Sequence, residues 1–195
     1  MSAPSIDWDS TAVLIMDYQN DIIAMQPEER RQPLLDNAAQ VLAMSREKGI
    51  PVFYIVVRFR EGYPELSPRN RMFQAVRGSG RFVEGTPGAE IHPAVPPLPG
   101  ELVVTKRRVG AFSTTELDAV LRARSVTSLV LCGISTSGVV LSTVRWAADM
   151  DYALCVVSDA CSDQDPEVHR VLTEKVFPRQ ANVVTTADLL AAAQG

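Results

Sequence analysis

The sequence predicts an α/β fold in which a parallel sheet is covered by helices on both faces. Segments with the pattern of strands alternate with segments with the pattern of helices along most of the 195 residues. The predicted strands are almost continuously apolar, which is typical of strands buried on both faces. One long interruption, residues 59–100, breaks the alternation.

The first part of the chain predicts two buried strands joined by a helix. Residues 11–17 (TAVLIMD) form an apolar run that ends in aspartate, and residues 50–58 (IPVFYIVVR) are rich in β-branched and aromatic side chains. Between them, residues 34–49 carry apolar side chains at helical spacing and end at Gly49.

Residues 59–100 lose this periodicity and hold most of the prolines of the chain. A connection of this length is usually functional or mobile. It is too polar and broken to bury a core of its own. We therefore interpret it as a lid or substrate-binding loop within one domain that spans residues 1–195.

Regular order returns after residue 100 and continues to the end of the chain. The predicted helix at 113–124 has a hydroxyl cap, and the one at 165–177 has Pro166 near its first turn. The remaining predicted strands are 101–106, 126–133, 152–159 and 181–186, and the remaining helices are 137–149 and 186–193.

Composition excludes several classes of function. The formal net charge of −4 argues against a nucleic acid or an anionic membrane as partner. No apolar run is long enough to cross a bilayer, and the N-terminus lacks the pattern of a secretory signal. Three cysteines without CxxC spacing favour free thiols, so we expect a cytoplasmic protein.

Chemistry-bearing residues stand where the predicted strands end, which is where ligands bind in open parallel sheets. Asp17 is a candidate general acid or base, or a carboxylate that caps a loop. Lys106 is a candidate cation beside Asp17, or a surface lysine. Arg58 and Asp159 follow two further strands.

The turn at 133–139 (GISTSGV) joins a strand to a helix through small residues. Such residues let the backbone approach a ligand closely, and the positive end of the following helix favours an anion. The turn is either an oxyanion hole or an ordinary tight turn with Thr136 as the helix N-cap.

Taken together, these segments resemble the isochorismatase-like hydrolases, also called cysteine hydrolases. The resemblance rests on AVLIMDYQND (12–21), on VVTKRRVGAFSTTELDAVLRARSVTSLVLCGI (103–134) and on GISTSGVVLSTVRWAADMDYALCVVSDACSD (133–163). It implies a three-layer fold with a six-stranded parallel sheet in the order 3-2-1-4-5-6. It also implies that the protein forms homodimers or homotetramers and acts on small molecules.

The resemblance also implies roles for individual residues. Asp17 matches the catalytic aspartate and Lys106 the catalytic lysine. The Ile134–Ser135 bond matches a non-proline cis peptide, and the backbone N–H groups of Ser135 and Val139 match an oxyanion site. We expect substrate contacts from Gln19, Arg58, Thr136, Ser137 and Gly138.

One position departs from the family pattern, because valine stands at residue 139, where the amidases have their nucleophilic cysteine. Valine cannot attack a carbonyl carbon. Ser137 is a stronger candidate for a replacement nucleophile than the three cysteines, although it stands two residues before position 139. Cys161, just past the fifth predicted strand and near the rim, is a poorer candidate. The isochorismatases proper have glycine at this position and hydrolyse a vinyl ether with the aspartate as general acid, but this chain lacks their Tyr-Ala-His run.

The nicotinamidase branch binds a metal through histidines that this chain lacks, since only His92 and His169 are present, without ligand spacing. We therefore predict no metal and no cofactor. Six arginines occur at 58–81, and one or two of them are candidates to bind a substrate carboxylate. They are Arg58, Arg60, Arg69, Arg71, Arg77 and Arg81.

The sequence leaves three hypotheses open. The first is a hydrolase that cleaves a vinyl-ether, C–N or C–O bond with Asp17 as acid or base and without a cysteine. The second is a catalytically inactive relative that binds a small molecule or a protein partner through the same pocket. The third is a deliberate replacement of the cysteine by valine.

Overall fold

The fold was obtained as a computed structural model, and the structure describes residues 6–194. Its centre is a six-stranded parallel sheet in the order β3-β2-β1-β4-β5-β6, as the resemblance implies. The strands are β1 (Thr11–Met16), β2 (Val52–Val57), β3 (Leu102–Lys106), β4 (Ser128–Ile134), β5 (Ala153–Ser162) and β6 (Asn182–Val184).

Helices cover both faces of the sheet. They are α1 (Asn20–Ala24), α2 (Glu28–Glu47), α3 (Arg71–Ser79), α4 (Leu117–Ala123), α5 (Leu141–Asp149), α6 (Pro166–Val171) and α7 (Thr186–Gln194). A π-helical turn, Thr136–Val140, precedes α5, and another, Leu172–Val176, continues α6.

Side chains of β1 alternate between two apolar layers because successive strand residues point to opposite faces. Val13 and Ile15 join the layer under α2 and α7, whereas Leu14 and Met16 join the layer under α4 and α5. All six residues of β1 are buried, and so are all six of β2. The double coverage explains why these strands read as continuous apolar runs.

Helix α2 begins six residues before the predicted start, at Glu28 instead of residue 34. The prediction placed the start after Pro33, but Pro33 lies inside the observed helix, which continues despite the N–H donor that proline lacks. Glu28 and Glu29 in the first turn are favourable because carboxylates interact well with the positive end of the helix.

The segment 59–100 contains more structure than its composition predicts. Helix α3 begins after Asn70, whose side chain accepts a hydrogen bond from the N–H of Phe73, and ends at Gly80, which has a φ of 68°. The segment has no separate core. Its apolar side chains join the layer under α2, among them Phe59, Leu66, Phe73, Phe82 and Val95.

Strand β5 runs to Ser162, whereas the sequence predicted its end at Asp159. Its pairing with β4 is interrupted between Leu131 and Gly133, where the register shifts. The longer strand places Asp163, and not Asp159, at the carboxyl end of β5. The Asp159 carboxylate instead accepts hydrogen bonds from the N–H (2.7 Å) and the hydroxyl (2.8 Å) of Thr186 at the start of α7.

No helix within residues 6–194 combines the length and the apolar character needed to span a membrane.

Candidate active site

A cavity of about 460 Å³ opens where β1, β2, β3 and β4 end. Asp17 and Lys106 line it together with the turn after β4 and parts of α1 and α3. The candidate catalytic and binding residues were predicted at this edge of the sheet. The carboxyl ends of parallel strands are the usual position of ligands in such folds.

Asp17 and Lys106 meet in this cavity as a buried ion pair. Nζ of Lys106 lies 2.8 Å from Oδ2 of Asp17, and the two residues are 2% and 4% exposed, respectively. Lys106 is therefore not a surface lysine. Its ammonium also donates to the carbonyl oxygen of Arg108 at 3.2 Å.

The second carboxyl oxygen of Asp17, Oδ1, is buried and has no hydrogen-bond partner among the described residues. Asp17 itself has a φ of 61°, a left-handed conformation that aspartate tolerates better than most residues. Its backbone N–H donates to the carbonyl oxygen of Ile55 at 2.7 Å, which fixes it between β1 and β2. A buried acceptor without a partner is unusual and marks a place for a ligand or a proton.

Burial raises the pKa of the Asp17 carboxyl above its ordinary value, and the Lys106 ammonium opposes this only in part. A raised pKa keeps a larger fraction of the carboxyl protonated near neutral pH. Such a group can give a proton to a substrate, and a carboxylate formed in this way would remain paired with Lys106.

The turn after β4 brings Ser135, Ser137, Gly138 and Val139 to the cavity wall. The Ile134–Ser135 peptide bond is cis, as the resemblance implies. Val139 is 2% exposed and packs into the layer under α4 and α5. Two methyl groups therefore occupy the position that the resemblance matches to the nucleophilic thiol.

Asp163 holds this turn in place. Its Oδ2 accepts a hydrogen bond from the N–H of Ser137 at 2.8 Å, and its Oδ1 accepts one from the N–H of Asp165 at 3.4 Å. The N–H of Ser137, a residue from which we expected a substrate contact, is thus bound by an acidic side chain of the protein itself. Ser135 and Val139 remain the two backbone positions proposed for an oxyanion.

Thr136 is not the N-cap of the following helix, because Ser135 occupies that position and no side chain caps it. The Thr136 hydroxyl lies 2.8 Å from Nδ1 of His169, and the residue is fully buried. Thr136 does not line the cavity. Its contact joins the turn to α6.

Gln19 and Arg58 also lie outside the cavity wall. Gln19 is fully buried. Its side-chain oxygen accepts a hydrogen bond from the N–H of Val57 at 2.8 Å. Its side-chain nitrogen donates hydrogen bonds to the carbonyl oxygens of Val57 and Ala89. Arg58 forms an ion pair with Glu90. Both side chains tie β2 to neighbouring segments, so the structure gives neither a direct contact with a ligand in this cavity.

None of the three cysteines lines the cavity. Cys161 is 4% exposed, within β5, and not near the rim as the sequence suggested. Burial raises the pKa of Cys155 and Cys161 to about 12, and that of Cys132 well above its ordinary value. Ser137 lines the cavity, but no hydrogen bond to its hydroxyl is present within residues 6–194, so no base activates it.

Sequence reasoning missed several residues of the cavity wall. Asp163 could have been found as a strand-end carboxylate if β5 had been extended beyond residue 159. Gln26 is 3% exposed and accepts a hydrogen bond from the Ser162 hydroxyl at 2.8 Å, and nothing in its position along the sequence marks it. Arg108 also lines the cavity and stands two residues after Lys106, just beyond the end of β3.

No three His, Cys, Asp or Glu side chains come close enough to hold a metal ion in the part of the chain that the structure describes. The expectation of a metal-free protein stays a prediction.

Comparison with known proteins assigns the chain to a family. Residues 11–188 match the family model described as "Isochorismatase domain". An uncharacterised isochorismatase family protein of Bacillus subtilis, YwoC, is 33% identical over 97% of both chains. A probable isochorismatase of Pseudomonas chlororaphis is 30% identical, with 95% of this chain and 87% of that protein covered.

Two further matches bear on fold and activity. The structure of an isochorismatase family protein from Burkholderia thailandensis is 28% identical and covers all of both chains with a TM-score of 0.85. A probable inactive nicotinamidase of Arabidopsis thaliana is 29% identical, with 83% of this chain and 85% of that protein covered.

Proposed function

The chain belongs to the isochorismatase family, and from this premise we propose that it hydrolyses a small molecule by general acid–base chemistry of Asp17, without a cysteine nucleophile. The observation that carries the proposal is the Asp17 carboxyl, which is buried in the cavity. One of its oxygens is paired with Lys106, and the other has no hydrogen-bond partner within residues 6–194. A carboxyl in this state can exchange a proton with a bound substrate.

In the proposed reaction, protonated Asp17 donates its proton to the substrate. For a vinyl ether the proton goes to the outer carbon of the double bond; for another C–N or C–O bond it goes to the leaving nitrogen or oxygen. Water then adds to the electron-poor carbon, and its surplus proton returns to the Asp17 carboxylate, so that the enzyme is regenerated. In the vinyl-ether case the resulting hemiketal loses the alcohol, which breaks the C–O bond and leaves a carbonyl compound. Lys106 stabilises the carboxylate during this interval.

In this proposal the turn after β4 binds the substrate. The N–H groups of Ser135 and Val139 face negative charge that develops on a substrate oxygen, and Ser137 and Gly138 contact the substrate. A Cβ at Gly138 would come within 2.7 Å of the Ser135 Oγ, so a larger residue there would force the serine side chain to move. Val139 contributes apolar surface and no chemistry.

Deuterium labelling tests the proposal and identifies the bond. Purified protein is incubated in D₂O with a panel of vinyl ethers, amides and esters, and the products are analysed by mass spectrometry. Vinyl-ether hydrolysis places one deuterium on carbon, whereas amide or ester hydrolysis places none there. Dialysis against EDTA before the assay should leave the rate unchanged, and loss of activity that added metal restores would contradict the metal-free proposal.

The second candidate function is ligand binding without turnover. Two considerations favour it: the resemblance matches Val139 to the nucleophile position, and the Arabidopsis relative bears the name of a probable inactive enzyme. A compound that binds in calorimetry and is recovered unchanged after long incubation would support this alternative.

We also propose that the protein is a homodimer or homotetramer. Light scattering coupled to size-exclusion chromatography measures the mass directly, and a mass equal to one 21.3 kDa chain would contradict this proposal.

A further inference from the structure

The charges on the cavity wall do not balance. Three basic side chains, Lys106, Arg81 and Arg108, line the cavity with two acidic ones, Asp17 and Asp163. Lys106 forms an ion pair with Asp17, with 2.8 Å between Nζ and Oδ2. Neither Arg81 nor Arg108 forms an ion pair with any residue between 6 and 194, although the chain as a whole carries a net charge of −4.

The contacts of these two arginines leave most of their donors free. Arg108 donates from one terminal nitrogen to the carbonyl oxygen of Arg107, and Arg81 contacts the Sδ of Met25 at 2.9 Å. Arg107, between Lys106 and Arg108 in the chain, is different because it pairs with Glu65 and Glu84. A guanidinium has five N–H donors, so Arg81 and Arg108 can each bind an anion without breaking an existing ion pair.

The acidic groups of the wall are weak competitors for these arginines. Both carboxyl oxygens of Asp163 accept backbone hydrogen bonds, from Ser137 and Asp165, and its charge is directed into the turn. The Asp17 carboxyl is already paired with the Lys106 ammonium at 2.8 Å. The cavity therefore presents a net positive wall to a ligand.

The rest of the wall is largely apolar. Several side chains of α1, α3 and the sheet edge contribute to it: Ile22, Met25, Val57, Met72, Phe73 and Phe82. A volume of about 460 Å³ suits a compact organic molecule and not a polymer. Apolar walls favour a hydrocarbon body, and free guanidinium groups favour a carboxylate, which they bind with two parallel hydrogen bonds.

We infer that the cavity binds a compact organic carboxylate, with the carboxylate held by Arg81 and Arg108 and the apolar body against the walls of α1 and α3. The inference deepens the proposed function, on which it rests, because it names the chemical class of the substrate. Arg81 and Arg108 are specificity residues in this assignment, whereas Asp17 and Lys106 carry the chemistry. The carboxylate end then lies on the guanidinium side of the cavity, and the bond that breaks lies beside Asp17.

Calorimetry with matched probes tests the inference. Benzoate, cinnamate and cyclohexanecarboxylate are titrated into the protein alongside their uncharged counterparts, benzyl alcohol, cinnamyl alcohol and cyclohexylmethanol. We expect at least one acid to bind about tenfold more tightly than its alcohol, because only the acid forms charge-assisted hydrogen bonds. Arg81→Gln and Arg108→Gln should each weaken binding of that acid about fivefold or more, and Arg108→Lys should weaken it less than Arg108→Gln.

The matched control is Arg69→Gln, since Arg69 is an exposed arginine of the same segment that does not line the cavity. It should leave binding unchanged. Melting curves identify any variant that fails to fold, and Arg108→Lys retains the charge if Arg108→Gln is unstable. Equal affinity for acids and alcohols, no binding of any acid at 10 mM, or equal losses in Arg69→Gln and the cavity variants would each overturn the inference.

The same titrations with Asp17→Asn separate this inference from the proposed function. Carboxylate binding that persists in a variant without turnover supports both proposals. Turnover of an uncharged substrate with no carboxylate binding overturns the substrate class and leaves the function of Asp17 standing.

Discussion

Nζ of Lys106, at the end of β3, donates a hydrogen bond to Oδ2 of Asp17, at the end of β1, across 2.8 Å. The two strands are not neighbours in the sheet, because β2 lies between them. The pair therefore bridges two strands and closes one side of the cavity.

Lys106→Met should destabilise the protein, and the loss should depend on pH. Removing the cation leaves the buried carboxyl of Asp17 unpaired, which costs about 3–5 kcal/mol of unfolding free energy near neutral pH. The pKa of Asp17 rises further in this variant, and stability that depends on a raised pKa is complete at low pH and falls as the pH rises through that pKa. Urea unfolding at pH 5 and pH 7.5 should thus show a smaller loss at pH 5. A loss of equal size at both values would contradict the assignment.

Asp17→Asn should abolish turnover while binding is kept. Asparagine has nearly the same shape and can accept a hydrogen bond from Lys106, but it cannot donate a carboxyl proton. We expect a rate reduction of about 10²–10⁴-fold with a dissociation constant within a few-fold of the wild-type value. The measurement is single-turnover kinetics beside calorimetry; unchanged turnover would remove Asp17 from the mechanism.

The wild-type rate should also depend on the protonation of Asp17. If Asp17 acts as the acid, the rate is highest at low pH and falls as the pH rises through the raised pKa of its carboxyl. A pH–rate profile over the range in which the protein stays folded measures this fall. A rate that instead rises over that range would assign Asp17 the role of a base.

Val139→Cys should introduce the one thiol that a small reagent reaches in the native protein. Val139 lines the cavity, whereas Cys132, Cys155 and Cys161 are buried with raised pKa values. Mass spectrometry after brief iodoacetamide treatment should find no label on the wild type and one label on the variant. Labelling of the wild type at equal speed would contradict the burial of its thiols.

Asp163→Ala should loosen the turn after β4. The alanine variant loses the acceptor for the Ser137 N–H, and a lost hydrogen bond to a charged group costs about 1.5–3 kcal/mol. Asp163→Asn keeps a side-chain oxygen at this position and should lose less. Denaturant unfolding of the two variants gives the comparison, and equal losses would mean that the hydrogen bond does not stabilise the turn.

Much of the fold could be predicted because strands buried on both faces leave an unbroken apolar signal, as in β1 and β2. Helix α3 gave no such signal, since Phe73 is its one buried residue and Met72 is 57% exposed. The predicted end of β5 was wrong because Ser158 and Asp159 interrupt the apolar run, although the strand continues past them to Ser162.

The site could be predicted in part for a similar reason. That Asp17 and Lys106 lie at the same edge of the sheet follows from their positions at the carboxyl ends of parallel strands, but that their side chains meet does not. The direction of a side chain does not follow from its position: Gln19 is two residues from Asp17, yet its amide binds the backbone of Val57 and Ala89. Asp163 and Ser137 are 26 residues apart in the chain, and their hydrogen bond could not be predicted because it depends on where β5 ends beside β4.

The methyl groups of Val139 have a consequence for inhibition. Hydrogen peroxide and electrophilic fragments inactivate cysteine hydrolases by modifying a reactive thiolate, and the described wall of this cavity offers them no sulfur nucleophile of that kind. On the proposed cysteine-independent chemistry, the protein should keep its activity under thiol-modifying conditions that inactivate its thiol-dependent relatives. A covalent inhibitor aimed at this cavity would find no cysteine thiol among the described wall residues.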